Sequence, residues 1–169
     1  MFVVPLAHSA VPDVDKVDIA AFLELGLGVF VGTRDAQRVP HGVSGSAVKL
    51  LSEGRAVVYV PEHECAQAVA NVLDNGAIAV LFDQPTTHRG YQLKGRVTAV
   101  RAETAEEAEE VRAFVGRLMA EYAVIGVAPE VIERLVFSPC RAIEFAYDEV
   151  YEQTPGPGAG KAVQSTGDA

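Results

Sequence analysis

The fold is decided by the stretch Ala77-Ile-Ala-Val-Leu-Phe-Asp-Gln-Pro-Thr-Thr-His-Arg-Gly-Tyr-Gln-Leu-Lys-Gly-Arg-Val97. The residues from Ala77 to Phe82 are all apolar, which is typical of a strand buried on both faces. A short connection around Pro85 follows. From Tyr91 onward apolar and polar residues alternate, which indicates a long strand with one face in the core and the other in solvent. The stretch therefore predicts two strands, the first fully buried and the second half-solvated.

Further strands are predicted on both sides of this stretch. They cover about residues 28–33, 39–48, 56–60 and 141–150, which are rich in β-branched or aromatic residues. The strand over 39–48 contains Gly42 and Gly45. Glycine inside a strand indicates a bulge or a close approach by a ligand or another backbone.

Helices are predicted from their end signals. Asp18 is typical of a helix N-cap, and Pro61 suits the first turn of a second helix that ends at Asn75-Gly76. Thr104 and Glu107 have the spacing of a capping box for the longest helix. The apolar face of the second helix is predicted to carry Ala66, Val69, Val72 and Leu73. The predicted helices cover about residues 19–25, 61–75, 105–122 and 129–135.

The order of these elements predicts an α+β barrel. The strands do not alternate regularly with helices, which argues against a doubly wound parallel sheet. We expect a mostly antiparallel barrel with peripheral helices, whose body is formed by about residues 27–150. The domain is predicted to cover residues 1–152, with residues 1–26 as an N-terminal segment and helix. Residues 153–169 are rich in Gly and Pro, so we predict a flexible tail.

The composition excludes several classes of protein. The net charge is −9 and the Lys and Arg residues are scattered singly, whereas a nucleic-acid binder needs a basic face. The chain is 49% hydrophobic and 22% charged, which is typical of a globular domain. No apolar run has the length of a membrane span, and the N-terminus lacks a basic region followed by a hydrophobic core. We therefore expect a cytoplasmic protein without nucleic-acid or membrane partners.

Motifs for metal, nucleotide and acid–base chemistry are incomplete. Glu62-His63-Glu64-Cys65 carries metal-binding side chains, but neighbouring helix residues point in different directions, so we predict no metal site. The segment Pro155-Gly-Pro-Gly-Ala-Gly-Lys161 lacks the first glycine and the final hydroxyl residue of a phosphate-binding loop. The glutamates at 103, 106, 107, 109 and 110 suit the positive end of a helix dipole. No catalytic residue is assigned.

Polar side chains on two predicted strands form the candidate ligand site. Ser44, Ser46 and Lys49 offer hydroxyls and one cation to a bound anion. An edge strand with a glycine bulge that faces solvent predicts the same pattern equally well. Arg89 and Gln92 place donors near the start of the long strand, where they contact a ligand's polar rim or form surface charge pairs. The residues by themselves leave both interpretations open.

The order of elements and the local sequence resemble the pyridoxamine 5′-phosphate oxidase-like family of FMN-binding split barrels. The likeness covers roughly Leu27 to Val100 and continues more weakly through the final strand. It is carried by the opening stretch with its Gln92-Leu-Lys-Gly95 segment, and by the preceding helix with its exit at Asp74-Asn75-Gly76. The resemblance implies a split β-barrel, a homodimer, and FMN in clefts at the dimer interface.

The resemblance also implies a set of cofactor contacts. Ser44 stands at the position of the family's first phosphate-binding arginine, and Lys49 stands at that of its lysine. Gln67 falls in the family's Ser-Arg-Lys run, which is Ala66-Gln67-Ala68 here and lacks both cations. In the long strand the first arginine of an Arg-Gln-x-Arg pattern is kept. The predicted FMN contacts are Ser44, Ser46, Lys49, Gln67, Arg89 and Gln92.

Three functions are compatible with these residues. The first is an FMN-binding flavoprotein, an oxidoreductase of unknown substrate in which the flavin carries the redox chemistry. Oxidation of pyridoxamine 5′-phosphate itself is not supported by the residues. The second is a flavin-free split barrel that binds haem or another small ligand, which the replaced phosphate cations motivate. The third is a structural dimer module with an empty cleft.

Overall fold

The computed structural model describes residues 16–132 and 137–165. The predicted α+β class is confirmed, and residues 133–135 of the short helix predicted over 129–135 lie outside the described residues. The elements, in chain order, are β1 (Lys16–Val17), α1 (Ile19–Leu23), β2 (Gly28–Arg34), β3 (Pro40–Gly45), β4 (Ala47–Ser52), β5 (Arg55–Pro61), α2 (Ala66–Asn75), β6 (Ala77–Asp83), β7 (Gly90–Ala102), α3 (Ala105–Val124), α4 (Pro129–Ile132), β8 (Cys140–Glu152) and β9 (Gln164–Ser165).

Seven strands form one antiparallel sheet in the order β3-β2-β6-β7-β8-β5-β4. The edge strands β3 and β4 follow each other in the chain, and only Ser46 separates them. Within the described residues no hydrogen-bonded ladder joins these two edges, so the sheet is not closed. The opposite edges are nevertheless held together because one continuous segment forms both, and the architecture is that of a split barrel.

The strand predicted over residues 39–48 is divided because the chain changes its pairing partner there. β3 pairs with β2 as far as Gly45, which lies opposite Val29. The amide of Ser46 then donates to the carbonyl oxygen of Tyr59 in β5 at 2.7 Å. A Cβ atom at Gly45 would lie 2.7 Å from Cγ1 of Val29. The change of partner therefore takes place at a residue without a side chain, where the backbones can approach closely.

The second helix differs from its prediction at its start and on its buried face. Pro61 is the last residue of β5 rather than the first turn of α2. The predicted end is confirmed, with Gly76 in the left-handed conformation at φ 71°. Leu73, predicted on the apolar face, is 70% exposed. Val72 of the predicted face is buried, and so are Ala68 and Asn71. The Asn71 Nδ2 donates to Oγ1 of Thr33 at 3.0 Å.

The core lies on the inward faces of the sheet, where Phe82 of β6 and Leu93 of β7 are fully buried. β6 was predicted to be buried on both faces, but its residues alternate between buried and partly buried. The outward side chains, Ala79 and Leu81 among them, are only partly buried. The prediction is wrong for this face because Ala79 and Leu81 line an open groove there.

After β8 the chain folds back on itself. The amide of Glu152 donates to the carbonyl oxygen of Lys161 at 2.9 Å, and the amide of Gly160 donates to that of Glu152 at 2.7 Å. β9 then pairs in parallel with β1. The domain boundary at residue 152 and the flexible tail stay predictions. No helix in the described part of the chain is both long enough and apolar enough to cross a membrane.

Candidate functional site

A shallow groove of about 340 Å³ lies on the outward face of the sheet. We call it the outer groove, and it lies on β2, β3, β6 and β7. Side chains alternate between the two faces of a strand, so every second residue of these strands points toward it. The outer groove is lined by Phe30, Val31, Gly32, Gly42, Val43, Ser44, Ala79, Leu81 and Gln92.

The register of the strands arranges the outward residues in rows. The first row runs from Ser44 through Phe30 and Leu81 to Gln92. The second row consists of Gly42, Gly32, Ala79 and Lys94. The first row therefore offers an aromatic ring and an aliphatic side chain between a hydroxyl and an amide. The second row begins with three small residues.

These small residues, which we call the shelf (Gly42, Gly32 and Ala79), leave a flat surface beside the first row. A Cβ atom at Gly42 would have no heavy atom within 4 Å, and one at Gly32 would contact only Ala79 at 3.8 and 3.9 Å. Side chains would thus fit the backbone at both glycines but would fill the groove. The shelf leaves room for a flat ligand that contacts the backbone.

Two of the predicted cofactor contacts, Ser44 and Gln92, lie at opposite ends of the first row. Ser44 is exposed, and the Gln92 amide oxygen accepts from Nε2 of Gln153 at 3.4 Å. Lys94 stands next to the shelf, with its Nζ 4.3 Å from the ring centroid of Tyr151. Sequence patterns place Lys94 on the solvated side of β7, but only the register shows that it borders the groove.

Ser46 is directed into the protein. It is 1% exposed, and its hydroxyl donates to the carbonyl oxygen of Phe137 at 2.7 Å. The thiol of Cys140 lies 3.5 Å from the Ser46 hydroxyl, and burial raises the pKa of this thiol to about 11. Because the hydroxyl is engaged inside the core, a cofactor contact by Ser46 stays a prediction that this geometry does not favour.

Lys49 lies in a different cleft, of about 410 Å³, between β4 and the helices α1 and α3. Its Nζ donates to both carboxylate oxygens of Glu110, at 2.7 and 2.8 Å. The pair is exposed, so it contributes little to stability. It nevertheless neutralises the cation that the family resemblance assigns to a phosphate.

Gln67 and Arg89 do not line the outer groove, and their side chains make contacts elsewhere. Gln67 lies on α2 and donates to Asn71 Oδ1 at 2.8 Å. The guanidinium of Arg89 stacks 5.3 Å from the ring centroid of Phe22. Arg89 borders a third cleft, of about 720 Å³, between α1, the start of β7 and residues 154–158. The structure thus brings only Ser44 and Gln92 together among the predicted contacts.

Within residues 16–132 and 137–165, no group of three or more His, Cys, Asp or Glu side chains is placed to hold a metal ion. The absence of a metal site stays a prediction. The Nε2 atom of His41 is buried without a hydrogen-bond partner. The polar groups at the outer groove are the hydroxyl of Ser44, the amide of Gln92 and the ammonium group of Lys94 beside the shelf.

Two solved structures show the same fold. HupZ from Group A Streptococcus superposes with a TM-score of 0.52 at 15% identity, covering 84% of this chain and 94% of that chain. A structure described as F420 Reductase superposes with a TM-score of 0.50 at 14% identity, covering 77% and 93%. No curated protein matches the chain in sequence. Identities this low establish the shared fold alone.

The family is established by sequence. A family model described as Pyridoxamine 5′-phosphate oxidase matches residues 17–154, which include the sheet from β2 to β8 and the outer groove. The match covers most of the chain and agrees with the split-barrel architecture. The chain therefore belongs to the pyridoxamine 5′-phosphate oxidase family.

Proposed function

We propose that this protein is an FMN-binding flavoprotein of the pyridoxamine 5′-phosphate oxidase-like class, an oxidoreductase of unknown substrate. The observation that carries the proposal is the shelf on the outward face of the sheet, together with the family match. Expectations of a cytoplasmic location and of a homodimer come from the sequence and remain part of the proposal.

The residues of the outer groove fit a flavin ring. The isoalloxazine ring system is flat, apolar on its faces and polar along its edges. Gly42, Gly32 and Ala79 leave space for such a face, and Phe30 and Leu81 stand beside it. Ser44 and Gln92 can form hydrogen bonds to ring-edge oxygen and nitrogen atoms. Ligand sites of this kind combine apolar walls with a few placed polar groups.

The groove is shallow, so a flavin on it would be covered only partly by this chain. Small-molecule sites usually bury most of their ligand. Phe30, at the centre of the first row, is 46% exposed, which is a large aromatic surface to leave in water. A second copy of the chain placed on this face would cover both the ring and Phe30.

A bound flavin would supply the hydride- and electron-transfer chemistry. The residues of this chain would hold the ring flat against the strands, contact its polar edges, and exclude water from the face that rests on the shelf. None of the described residues is assigned as an acid, base or nucleophile.

Binding of FMN to a groove-filling variant tests the proposal. Gly42→Val should keep the fold, because a Cβ at Gly42 meets nothing within 4 Å. We expect its affinity for FMN, measured by titration of flavin fluorescence, to fall roughly tenfold or more. Gly116→Ala is the control, because Gly116 lies in α3 and a Cβ there also meets nothing within 4 Å. A wild-type protein that neither carries nor acquires a flavin absorption band at micromolar FMN contradicts the proposal.

A flavin-free barrel that binds haem or another small ligand is the second candidate. It is favoured by the ion pair that neutralises Lys49 and by the Ala66-Gln67-Ala68 segment, which lacks both cations of the family's Ser-Arg-Lys run. The absorbance spectrum of the freshly purified protein separates the two, because flavin, haem and an empty groove differ in the visible range. A haem band without a flavin band supports the second candidate.

A further inference from the structure

The third cleft, between α1, the start of β7 and residues 154–158, has the size of a small-molecule site, at about 720 Å³. We call it the tail cleft, because the chain that follows β8 forms one of its walls. The amide of Gln153 donates to the carbonyl oxygen of Gly90 at 2.8 Å. The Gly90 amide donates to Oγ1 of Thr154 at 3.2 Å. These two hydrogen bonds hold the wall against the start of β7.

Glu152 lines the tail cleft and is only 8% exposed. In residues 16–132 and 137–165 it is the only charged side chain that is buried to this extent. Its Oε1 accepts from the amide of Thr154 at 2.9 Å, but no Lys, Arg or His of the described chain lies within ion-pair distance of the carboxylate. Buried charges are normally paired, and a carboxylate can accept several hydrogen bonds. The Glu152 carboxylate therefore offers a site for a positively charged group of a ligand.

Tyr91 separates this carboxylate from a cation. Tyr91 pairs with Glu152 across β7 and β8, so the two buried side chains are neighbours on the inward face of the sheet. On the other side of Tyr91, its hydroxyl accepts from Nη2 of Arg89 at 3.4 Å. The Arg89 guanidinium also stacks on Phe22, whose ring meets that of Tyr91 edge to face at 5.0 Å. Arg89 is thus held in place at the cleft, and most of its five N–H donors are left for a ligand.

Two opposite charges therefore line the tail cleft without neutralising each other. Arg89 and Glu152 both line it, and no ion pair joins them. The carboxylate of Asp18, which also lines the cleft, accepts from the Ala21 amide as the N-cap of α1. A ligand that carries both an ammonium group and a carboxylate would satisfy Glu152 and Arg89 together. Since the two side chains flank a single residue, the two charges of the ligand must be close together.

The rest of the lining supplies an apolar surface. It is formed by Val17, Ala21, Leu25, Pro155 and Pro157. We propose that the tail cleft binds a free α-amino acid with an apolar side chain. The ammonium group lies at Glu152, the carboxylate lies at Arg89, and the side chain packs against the apolar surface. This site is separate from the outer groove and does not depend on a flavin.

The first test compares three ligands that differ by one charge, by isothermal titration calorimetry of the full-length protein. L-leucine is the probe. 4-Methylpentanoate has the same carbon skeleton without the ammonium group, and 3-methylbutylamine has it without the carboxylate. We expect L-leucine to bind at least about tenfold more tightly than either analogue. An L-leucine affinity no higher than that of the analogues overturns the proposal.

The second test assigns each charge to its residue. Glu152→Gln keeps an oxygen for the Thr154 amide and removes the negative charge, so it should weaken L-leucine roughly tenfold and leave 4-methylpentanoate within about twofold. Arg89→Gln should also weaken L-leucine roughly tenfold, but should leave 3-methylbutylamine within about twofold. Arg112→Gln is the matched control, because Arg112 is an exposed arginine of α3 paired with Glu109, and it should change none of the three affinities.

Two further outcomes contradict the proposal. The first is a wild-type protein that binds none of alanine, valine, leucine, methionine and phenylalanine at about 10 mM. The second is an L-leucine affinity that neither Glu152→Gln nor Arg89→Gln changes. Circular dichroism shows whether each variant keeps its fold. The comparison of the three ligands on the wild type decides the proposal even if a variant does not fold.

Discussion

Gly95 lies where β7 passes close to the backbone of β8. A Cβ atom at this position would lie 1.9 Å from the carbonyl oxygen of Ala146 and 2.7 Å from Cα of Tyr147. The register between the two strands shifts there, with Asp148 as an extra residue in β8 opposite Lys94 and Gly95. Only glycine allows two backbones to approach this closely. The glycine that ends the Gln-Leu-Lys-Gly segment is thus required by the bulge.

At the residue scale we predict that Gly95→Ala lowers the free energy of unfolding by about 3 kcal/mol or more, because backbone atoms must move to admit the methyl group. Urea denaturation measures the change. Gly116→Ala is the control and should raise stability by about 0.5–1 kcal/mol, since Gly116 lies inside α3 with open space around it. A Gly95→Ala protein as stable as the wild type would contradict the close approach.

The N-terminus of α3 joins the helix to the barrel through one carboxylate. Glu107 accepts from the Thr104 amide at 2.8 Å and completes the predicted capping box, which is confirmed. It also accepts from Arg101 at 2.7 and 2.6 Å and from the Tyr59 hydroxyl at 3.0 Å. Hydrogen bonds from Arg101 hold the pKa of Glu107 at about 2, below its usual value of 4.5. Burial raises the pKa of Tyr59, so its hydroxyl remains a donor.

At the element scale we predict that Glu107→Gln lowers the free energy of unfolding by about 2 kcal/mol at neutral pH, because charge-assisted hydrogen bonds are lost. Glu109→Gln is the control, since Glu109 is 72% exposed in its pair with Arg112 and such pairs contribute little. Thermal or urea unfolding of both variants measures the difference. Equal stabilities of the two variants would show that Glu107 is only a surface cap.

The same carboxylate predicts a pH dependence. Its pKa is lower in the folded protein than in the unfolded chain, so its stabilising effect is fully present above about pH 4.5 and is lost as the pH falls toward about 2. We expect the stability of the wild type to decrease over this window more steeply than that of Glu107→Gln. Urea unfolding midpoints of both proteins, followed from about pH 5 down to about pH 2, measure the two slopes. Parallel slopes would contradict the lowered pKa.

For the whole molecule, the open outward face of the sheet is the feature with the largest consequence. The face carries the outer groove and an exposed Phe30. An interface formed there would bury apolar surface that the single chain leaves in water. The proposed homodimer and the proposed flavin site therefore depend on the same surface.

At this scale we predict that the wild type sediments as a dimer at micromolar concentration and that Phe30→Asp sediments as a folded monomer, because a carboxylate would be buried at the interface. Leu73→Asp is the control, since Leu73 is 70% exposed on α2. Analytical ultracentrifugation distinguishes the two states. A monomeric wild type would contradict both the dimer and a flavin site at its interface.

Much of the fold is predictable from the sequence because its signals are local. The side chains of Asp18 and Thr104 cap the first turns of α1 and α3, and Gly76 ends α2 in the left-handed conformation. The division at Gly45 was not predicted, because it depends on a change of partner from β2 to β5. The exposure of Leu73 was not predicted either, since the buried side of α2 is centred on Ala68, Asn71 and Val72, where Asn71 bonds to Thr33 of β2.

In the candidate site, too, local sequence patterns predicted some features, and the register between strands decided the others. The sequence by itself determined the strand and helix types, the order of elements, the family, and two groove residues, Ser44 and Gln92. Only the tertiary structure decided that Lys49 is paired with Glu110, and that the shelf residues lie side by side. The physical reason is that neighbours across a sheet are fixed by hydrogen-bond register between strands far apart in the chain. That register brings Gly32, Ala79 and Lys94 into one row.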